Sequence, residues 1–354
     1  MYRILVINPG STSTKVAVFE DETPIWEREI VHSKEELARF RRIADQYSFR
    51  RDTVLDALAQ AGLTPEDLDA VVGRGGMLRP VASGTYRVNE RLLQDSWKLH
   101  EREHPANLGA VVAHEIASAA GIPALMVDPV SVDEFEPLAR VAGLPNIERR
   151  SMSHALNLKS AARKAAAALG QLYDQINLVV AHLGGGISVS AHRRGAMVDV
   201  NQALDGTGPF APERAGGLPV GDVMRMAYSG QYAYEELFTL ISRRGGLFAH
   251  LGTNDAREVE RRIAAGDAHA RLIYEAMAYQ IAKEIGLMAT VLKGDVQAIV
   301  LTGGLAHSKL LLGWIQERVE WIAPVLVFPG QQEMLSMAQG AVRVLRGEEQ
   351  AKEY

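Results

Sequence analysis

Two short stretches carry residue types suited to holding a phosphate group. Asn8-Pro-Gly-Ser-Thr-Ser-Thr-Lys15 sets an amide and several hydroxyls around Gly10, and His182-Leu-Gly-Gly-Gly186 sets an imidazole ahead of three glycines. Glycine lets backbone come close to a ligand, and successive N–H groups in such a turn can hold phosphate oxygens. Taken singly, each stretch could equally be an ordinary hairpin turn. The two are copies of one pattern, however: ILVINPGSTSTKV over 4–16 and LVVAHLGGGISVS over 178–190 align Asn8 with His182, Gly10 with Gly184 and Thr12 with Gly186. In both, a third strand-like run follows a polar turn, Pro24 to Val31 and Ala196 to Val200. Strand, glycine turn, strand, turn, strand, once in each half, predicts two related domains facing each other. The repetition favours a phosphate clamp over two unrelated hairpins.

Other chemistry-bearing residues sit at element ends. Arg74 lies between glycines in Gly73-Arg-Gly-Gly76, just past the strand-like Leu68–Val72, where the carboxyl edge of a sheet meets anions; a solvated turn arginine is the plain alternative. Asp128 closes the buried run Ala124–Val127, a common catalytic position or else a cap of the next turn. His154, in Ser151-Met-Ser-His-Ala-Leu-Asn157, falls in the first turn of an alanine-rich helix reaching Leu169, beside unpaired backbone N–H groups. Asp205 to Gly221 (DGTGPFAPERAGGLPVG) holds the charged pair Glu213-Arg214 in a stretch with no obvious structure, which suggests a functional loop. His104 and His114 read as solvent-facing or core histidines.

The elements that must position these residues can be read in outline. Ser33-Lys-Glu-Glu36 has capping-box spacing and is expected to open a charged amphipathic helix, with a second near Arg51–Ala61 and a short one from Thr64-Pro-Glu-Asp67. Helices are expected over Glu90–Glu103, Pro105–Ala120, Asp222–Tyr228, Tyr232–Arg243 and Asp267–Leu292. Gly245 to Arg257 is a second glycine-marked loop, with Thr253 or Asn254 capping a helix to Ala265. Gln297–Leu301 is a strand entering Thr302-Gly303-Gly304 and then a helix, and Val325–Phe328 is a last strand before Pro329-Gly330. The helix Glu333–Leu345 is expected to pack back on the first domain. With Pro137–Pro145 as connector, the expected domains are 1–148 plus 334–354 and 149–333.

A chain of 354 residues can bury two cores. A net charge of −5 argues against a general nucleic-acid or anionic-membrane binder, yet allows a locally positive pocket. The absence of cysteine excludes disulfides and thiolate metal sites. No signal-peptide pattern and no apolar run near 20 residues occur, so a cytoplasmic protein is expected. The sequence has no G-x-x-x-x-G-K-[ST], no G-x-G-x-x-G dinucleotide turn and no H-E-x-x-H. Any nucleotide would be held by the two-hairpin route.

Asn8-Pro-Gly-Ser-Thr-Ser-Thr-Lys15, Gly73-Arg-Gly-Gly76, Ser153-His-Ala-Leu-Asn157, His182-Leu-Gly-Gly-Gly186, Pro212-Glu-Arg-Ala-Gly216 and Leu301-Thr-Gly-Gly304 together resemble the acetate and butyrate kinase family, from about Arg3 to Arg346. V-V-G-R-G-G, S-H-A-L-N and P-E-R-A-G look like the butyrate kinases in particular. The resemblance implies the α/β fold of actin, sugar kinases and the heat-shock ATPase: two duplicated ribonuclease-H-like domains with a nucleotide in the interdomain cleft. It also implies transfer of the γ-phosphoryl of ATP to a short-chain carboxylate such as butyrate, giving ADP and an acyl phosphate, with Mg2+. By the same resemblance, Asn8 lies near phosphate and magnesium with Ser11 and Ser13 beside it, and Glu333 helps to hold the metal. His154 contacts the transferring phosphoryl, His182 with Gly184, Gly185 and Gly186 forms the second phosphate loop, and Asp128 lies near the metal and a catalytic arginine. Asp255 and Arg257 border the nucleotide, which approaches the backbone at Gly303 and Gly304. A homodimer or larger homo-oligomer is implied as well.

Acetate kinases carry R-V-V-H-G-G where this chain has Ala70-Val-Val-Gly-Arg-Gly-Gly76, and an arginine where it has Pro219. Arg74 and Arg214 are therefore expected as replacements. The residue types suit the reaction. A carboxylate is already ionised at neutral pH, so its oxygen needs no general base, and the task is to bring an anion to a polyanion. Arg74 would bind the carboxylate, Arg214 and His154 would stabilise the phosphoryl, and Asp128 would orient Arg214 or the metal shell. Three other readings compete: an acetate, propionate or branched-chain acid kinase, an actin-like ATPase switch without a carboxylate substrate, and a sugar kinase with an aspartate base.

Overall fold

The two copies of the strand–turn–strand pattern form the central hairpins of two separate sheets. The computed structural model describes residues 1–98, 104–204 and 206–354. It divides into two units, Met1–Val132 with Gln332–Tyr354, and Asp133–Gln331.

In the first unit, β1 (Arg3–Pro9), β2 (Ser13–Glu20), β3 (Thr23–Val31), β4 (Ala70–Gly73), β5 (Thr85–Arg87) and β6 (Ala124–Val127) make one sheet in the order β3-β2-β1-β4-β6-β5. β1, β2 and β3 form an antiparallel meander, while β4 and β6 run parallel to β1. Ile4, Leu5, Val6 and Ile7 are fully buried, as expected of a central strand covered on both faces. Helix Asn107–Ala120 packs on β4 and β6, and helix Glu333–Leu345 packs on β1, β4 and β6 through Met334, Met337, Ala338, Ala341 and Val342. The C-terminal helix thus belongs to the first unit.

In the second unit, β7 (Asn177–Leu183), β8 (Ile187–Arg193), β9 (Ala196–Val200), β10 (Ala298–Gly303) and β11 (Val325–Pro329) are ordered β11-β10-β7-β8-β9. The meander and the two following parallel strands repeat the connectivity of the first sheet. Helix Ala268–Val291 supplies the core stripe Tyr274, Met277, Ala278, Ile281, Ile285 and Met288, all fully buried. No helix among the described residues is long and apolar enough to cross a membrane.

Several local expectations change. The capping box at Ser33 forms, but the helix it opens lasts one turn, Lys34–Leu37, because none of its residues is buried and nothing propagates it. The longer helix is Tyr47–Gln60. β5 was not foreseen: three residues after Ser83-Gly84 are too few to show a period. Asp255, not Thr253 or Asn254, caps the helix Ala256–Ala264, since its carboxylate accepts from Arg257 N. The helix expected over Glu90–Glu103 is seen as Glu90–Lys98, and its remaining residues lie outside the described ones, as does Asp205.

The units divide at Val132 and Gln331, ahead of the 148/149 and 333/334 divisions expected from the sequence. Residues 133–148 stay with the second unit because Glu134 accepts from Lys159 Nζ and Met197 N, and Glu136 N donates to Val198 O at 3.2 Å. The Pro137–Pro145 stretch contains the one-turn helix Pro137–Arg140.

The hairpins are not identical copies. Asn8 stands opposite Lys15, whereas His182 stands opposite Ser188, so the second hairpin closes one residue tighter. The turns follow suit: Gly10 N donates to Ser13 O at 2.8 Å, and Gly184 N donates to Gly186 O at 3.2 Å. In each turn the first glycine's N–H is therefore spent inside the turn.

Candidate functional site

In the first unit, Asn8, Arg74 and Glu333 come together. Asn8 ends the polar edge of β1, Arg74 follows β4, and Glu333 opens the C-terminal helix. Asn8 Nδ2 donates to Glu333 Oε2 at 2.8 Å, and Arg74 Nη2 lies 3.6 Å from Glu333 Oε1. Arg74 is 7% exposed and its Nη1 is buried without a hydrogen-bond partner among the described residues. A buried guanidinium nitrogen left unpaired is costly, which makes it a strong attractor for an anionic oxygen.

The glycines of Gly73-Arg-Gly-Gly76 explain how an arginine comes to be buried there. A Cβ at Gly73 would sit 2.1 Å from Gly109 O, and one at Gly76 1.7 Å from Asn107 Oδ1. The backbone on both sides of Arg74 therefore lies directly on helix Asn107–Ala120. Gly73→Ala is expected to destabilise the protein by about 3 kcal/mol, because backbone on both sides must move to admit one methyl group. An unchanged urea midpoint would show that the close approach is not required.

The remaining first-unit candidates make other contacts. Ser11 is exposed, and Ser13 Oγ donates to Glu29 Oε1 at 2.9 Å. Asp128 is 1% exposed and holds φ +37°, unusual for a non-glycine residue. Its Oδ1 accepts from Gly84 N at 2.7 Å and its N donates to Gly84 O at 3.1 Å. These contacts make Asp128 a brace of the chain entering β5.

Sequence reasoning missed Arg50. Its side chain is fully buried on the stripe Arg50, Val54, Ala57 and Leu58, and it lies behind the Gly10–Thr14 turn. Nη2 donates to Gly10 O at 2.9 Å, Nη1 to Ser13 O at 3.2 Å and to Thr14 Oγ1 at 3.0 Å, and Nε to Gln46 Oε1 at 3.0 Å. Burial lowers this guanidinium to about 10, which leaves it charged at neutral pH. All four partners are neutral acceptors, so the charge supplies positive potential beneath the turn. An arginine at helical spacing on an otherwise apolar stripe was the available signal.

In the second unit, His154, His182, Gly184–Gly186 and Arg214 form one group. His154 caps helix Ala155–Ala168 with φ −80° and ψ 55°, and its ring stacks on that of His182, centroids 4.4 Å apart at 27°. His154 Nδ1 lies 2.8 Å from Ser188 Oγ. His182, the last polar residue of β7, is 1% exposed, and Gln331 Nε2 lies 3.5 Å from its Nε2. A Cβ at Gly186 would sit 2.1 Å from Arg214 Nη1, so the glycine lets the guanidinium lie on the turn.

Arg214 in turn donates to Ala203 O. Its loop is folded tightly, with Glu213 N donating to Gly185 O at 3.3 Å, Gly245 N to Glu213 O at 3.0 Å and Ala211 N to Arg214 O at 2.9 Å. The two glycine-marked loops recognised in the sequence are thus packed on one another.

Gly303, at φ +96°, has Leu183 O 2.3 Å from where a Cβ would be, so β10 ends against the end of β7. Gly304 follows with open space around it. Asp255 and Arg257 turn to each other: Nε and Nη2 of Arg257 donate to the two oxygens of Asp255 at 3.0 and 2.8 Å. The side-chain hydrogen bond from Arg257 holds the Asp255 carboxyl down at about 2. In this structure the pair forms a helix cap and an exposed ion pair.

Among the described residues, no group of three or more His, Cys, Asp or Glu could hold a metal ion. Mg2+ makes smaller demands, needing one or two carboxylates with waters and substrate phosphates. Glu333 with the Asn8 amide matches that donor set, so these residues fit the ion.

The model of the acetokinase family matches residues 146–312, which lie within the second unit. Among solved structures, the chain is similar to Porphyromonas gingivalis acetate kinase, at 20% identity and TM-score 0.80, over 98% of this chain and 100% of that one. It is also similar to a propionate kinase from Francisella tularensis subsp. tularensis SCHU S4 (20%, 0.76, 96% and 99%) and to the acetate kinase from Entamoeba histolytica (15%, 0.76, 96% and 98%). At these identities the likeness establishes the fold alone: a mixed α/β architecture of two units and two sheets, shared with these acetate and propionate kinases.

Proposed function

We propose that this protein transfers the γ-phosphoryl group of ATP to a short-chain carboxylate, with butyrate the preferred acid, giving ADP and an acyl phosphate in a reversible reaction. The observation that carries the reading is the grouping of His154, His182 and Arg214 at the Gly184–Gly186 turn, in the stretch that matches the acetokinase family. Likeness to acetate and propionate kinases supports the acid as acceptor, and the motif V-V-G-R-G-G supports the choice of butyrate.

The second unit is assigned the nucleotide and the first the acid. A carboxylate oxygen forms a bond to the γ-phosphorus while the bond from that phosphorus to the ADP oxygen breaks, and no proton need leave the attacking group. Arg74 Nη1 binds the carboxylate, and Arg214 and His154 stabilise charge on the phosphoryl oxygens. Asn8 and Glu333 would hold Mg2+, which would supply neutralisation of phosphate charge.

The test is an assay of the purified chain with ATP, Mg2+ and acetate, propionate, butyrate, isobutyrate or valerate, trapping the acyl phosphate with hydroxylamine. A maximum at butyrate is expected. A maximum at acetate would keep the mechanism and overturn the substrate. ATP hydrolysis with no trapped product from any acid would overturn the kinase reading.

A further inference from the structure

We propose that Ser188 is a positioning residue that locks His154 as the neutral tautomer with its proton on Nε2, so that His154 acts as a hydrogen-bond donor and not as a positive charge. The tautomer follows from hydrogen-bond accounting alone; its catalytic meaning rests on the function proposed above.

Ser188 stands opposite His182 on the β7–β8 ladder, so the two side chains share one face of the sheet, and His154 meets both. Ser188 is fully buried. Its Oγ has two contacts among the described residues: the backbone N of His154 at 3.3 Å and His154 Nδ1 at 2.8 Å. A backbone N–H can only donate, so it takes one lone pair of the hydroxyl oxygen. The hydroxyl's own proton then has a single acceptor within reach, His154 Nδ1.

If Nδ1 carried the proton instead, Ser188 would accept twice and its own proton would be buried without an acceptor, which is the expensive outcome. Nδ1 is therefore the acceptor, and Nε2 carries the ring proton. Protonating both nitrogens would strand the hydroxyl proton in the same way and would press a charged ring against the stacked ring of His182. A neutral donor suits a group that must follow a phosphoryl between oxygens, because it offers no extra proton to the departing acyl phosphate or ADP.

The tighter register of the second hairpin is what makes this possible. With the pairing of the first hairpin, His182 would face Val189 and Ser188 would leave the shared face.

The test is nitrogen-detected NMR of the full chain labelled with 15N-histidine near pH 7.5, with His154 assigned by the loss of its signals in His154→Asn. Nδ1 is expected to show the shift of an unprotonated, hydrogen-bonded nitrogen and Nε2 that of an N–H. An Nδ1–H tautomer or an imidazolium in the unaltered protein would overturn the proposal. Ser188→Ala is expected to give a mixture of tautomers and roughly a tenfold lower kcat, the worth of one neutral hydrogen bond, with the ATP KM little changed. Ser188→Thr, which keeps the hydroxyl, is expected to restore the single tautomer and most of kcat. A Ser188→Ala protein that keeps the Nε2–H tautomer would also overturn it. A chain with the expected tautomer but no acid phosphorylation would instead sink the kinase reading alone.

Discussion

Arg214→Ala is expected to lower turnover by roughly 10²–10³-fold, the usual cost of removing a fixed donor aimed at developing charge. The guanidinium lies on Gly186 and is tied to Ala203 O, so its position is set by the protein before any substrate arrives. Its loop is held by backbone bonds, among them Ala211 N to Arg214 O and Ala215 N to Ile241 O, both 2.9 Å, which do not use the side chain. The variant should therefore fold, and a urea curve close to that of the unaltered protein should accompany the kinetic loss. Arg214→Lys keeps the charge without the planar fork and is expected to recover only part of the rate. Near-normal turnover of Arg214→Ala in the hydroxylamine assay would remove this residue from the mechanism.

Arg74→Ala is expected to raise the KM for the carboxylate about 100-fold and leave the ATP KM nearly unchanged. The estimate corresponds to losing a charge-assisted contact of about 2–3 kcal/mol. Arg74 is buried beside Glu333, and its Nη1 has no hydrogen-bond partner among the described residues, so an anion bound there would relieve a cost the free protein already bears. The acid KM and the ATP KM should be measured separately. If the ATP KM rose instead, Arg74 would act through Glu333 on the metal and phosphate side, and the acid would have to be bound elsewhere.

Much of the fold was legible because it is written locally. β1 and β7, their following strands and the third strands lie where buried apolar runs and turn residues put them, and helices Glu333–Leu345 and Ala268–Val291 follow from helical periodicity. What failed was short or depended on packing. β5 is three residues long, the first helix stops after one turn for want of a buried face, and the division between units was misplaced because Glu134 and Glu136 find partners far along the chain. Asn8, Arg74, Asp128 and His182 were legible as residue types at strand ends, whereas the pairing of Asp255 with Arg257 and the burial of Arg50 on an apolar stripe depend on the fold.

By itself the sequence determined the repeated strand–turn–strand units, the glycine turns and the kinds of group that could hold a phosphate, since each of these is fixed by residues within one or two turns of chain. Only the tertiary structure decided who meets whom. Asn8 reaches Glu333 across 325 positions of sequence, and His154 reaches Ser188 because one hairpin closes a residue tighter than its copy. Such pairings depend on strand register and on helices laid against sheets. Both are set by the summed packing of the core, which no local window of residues contains.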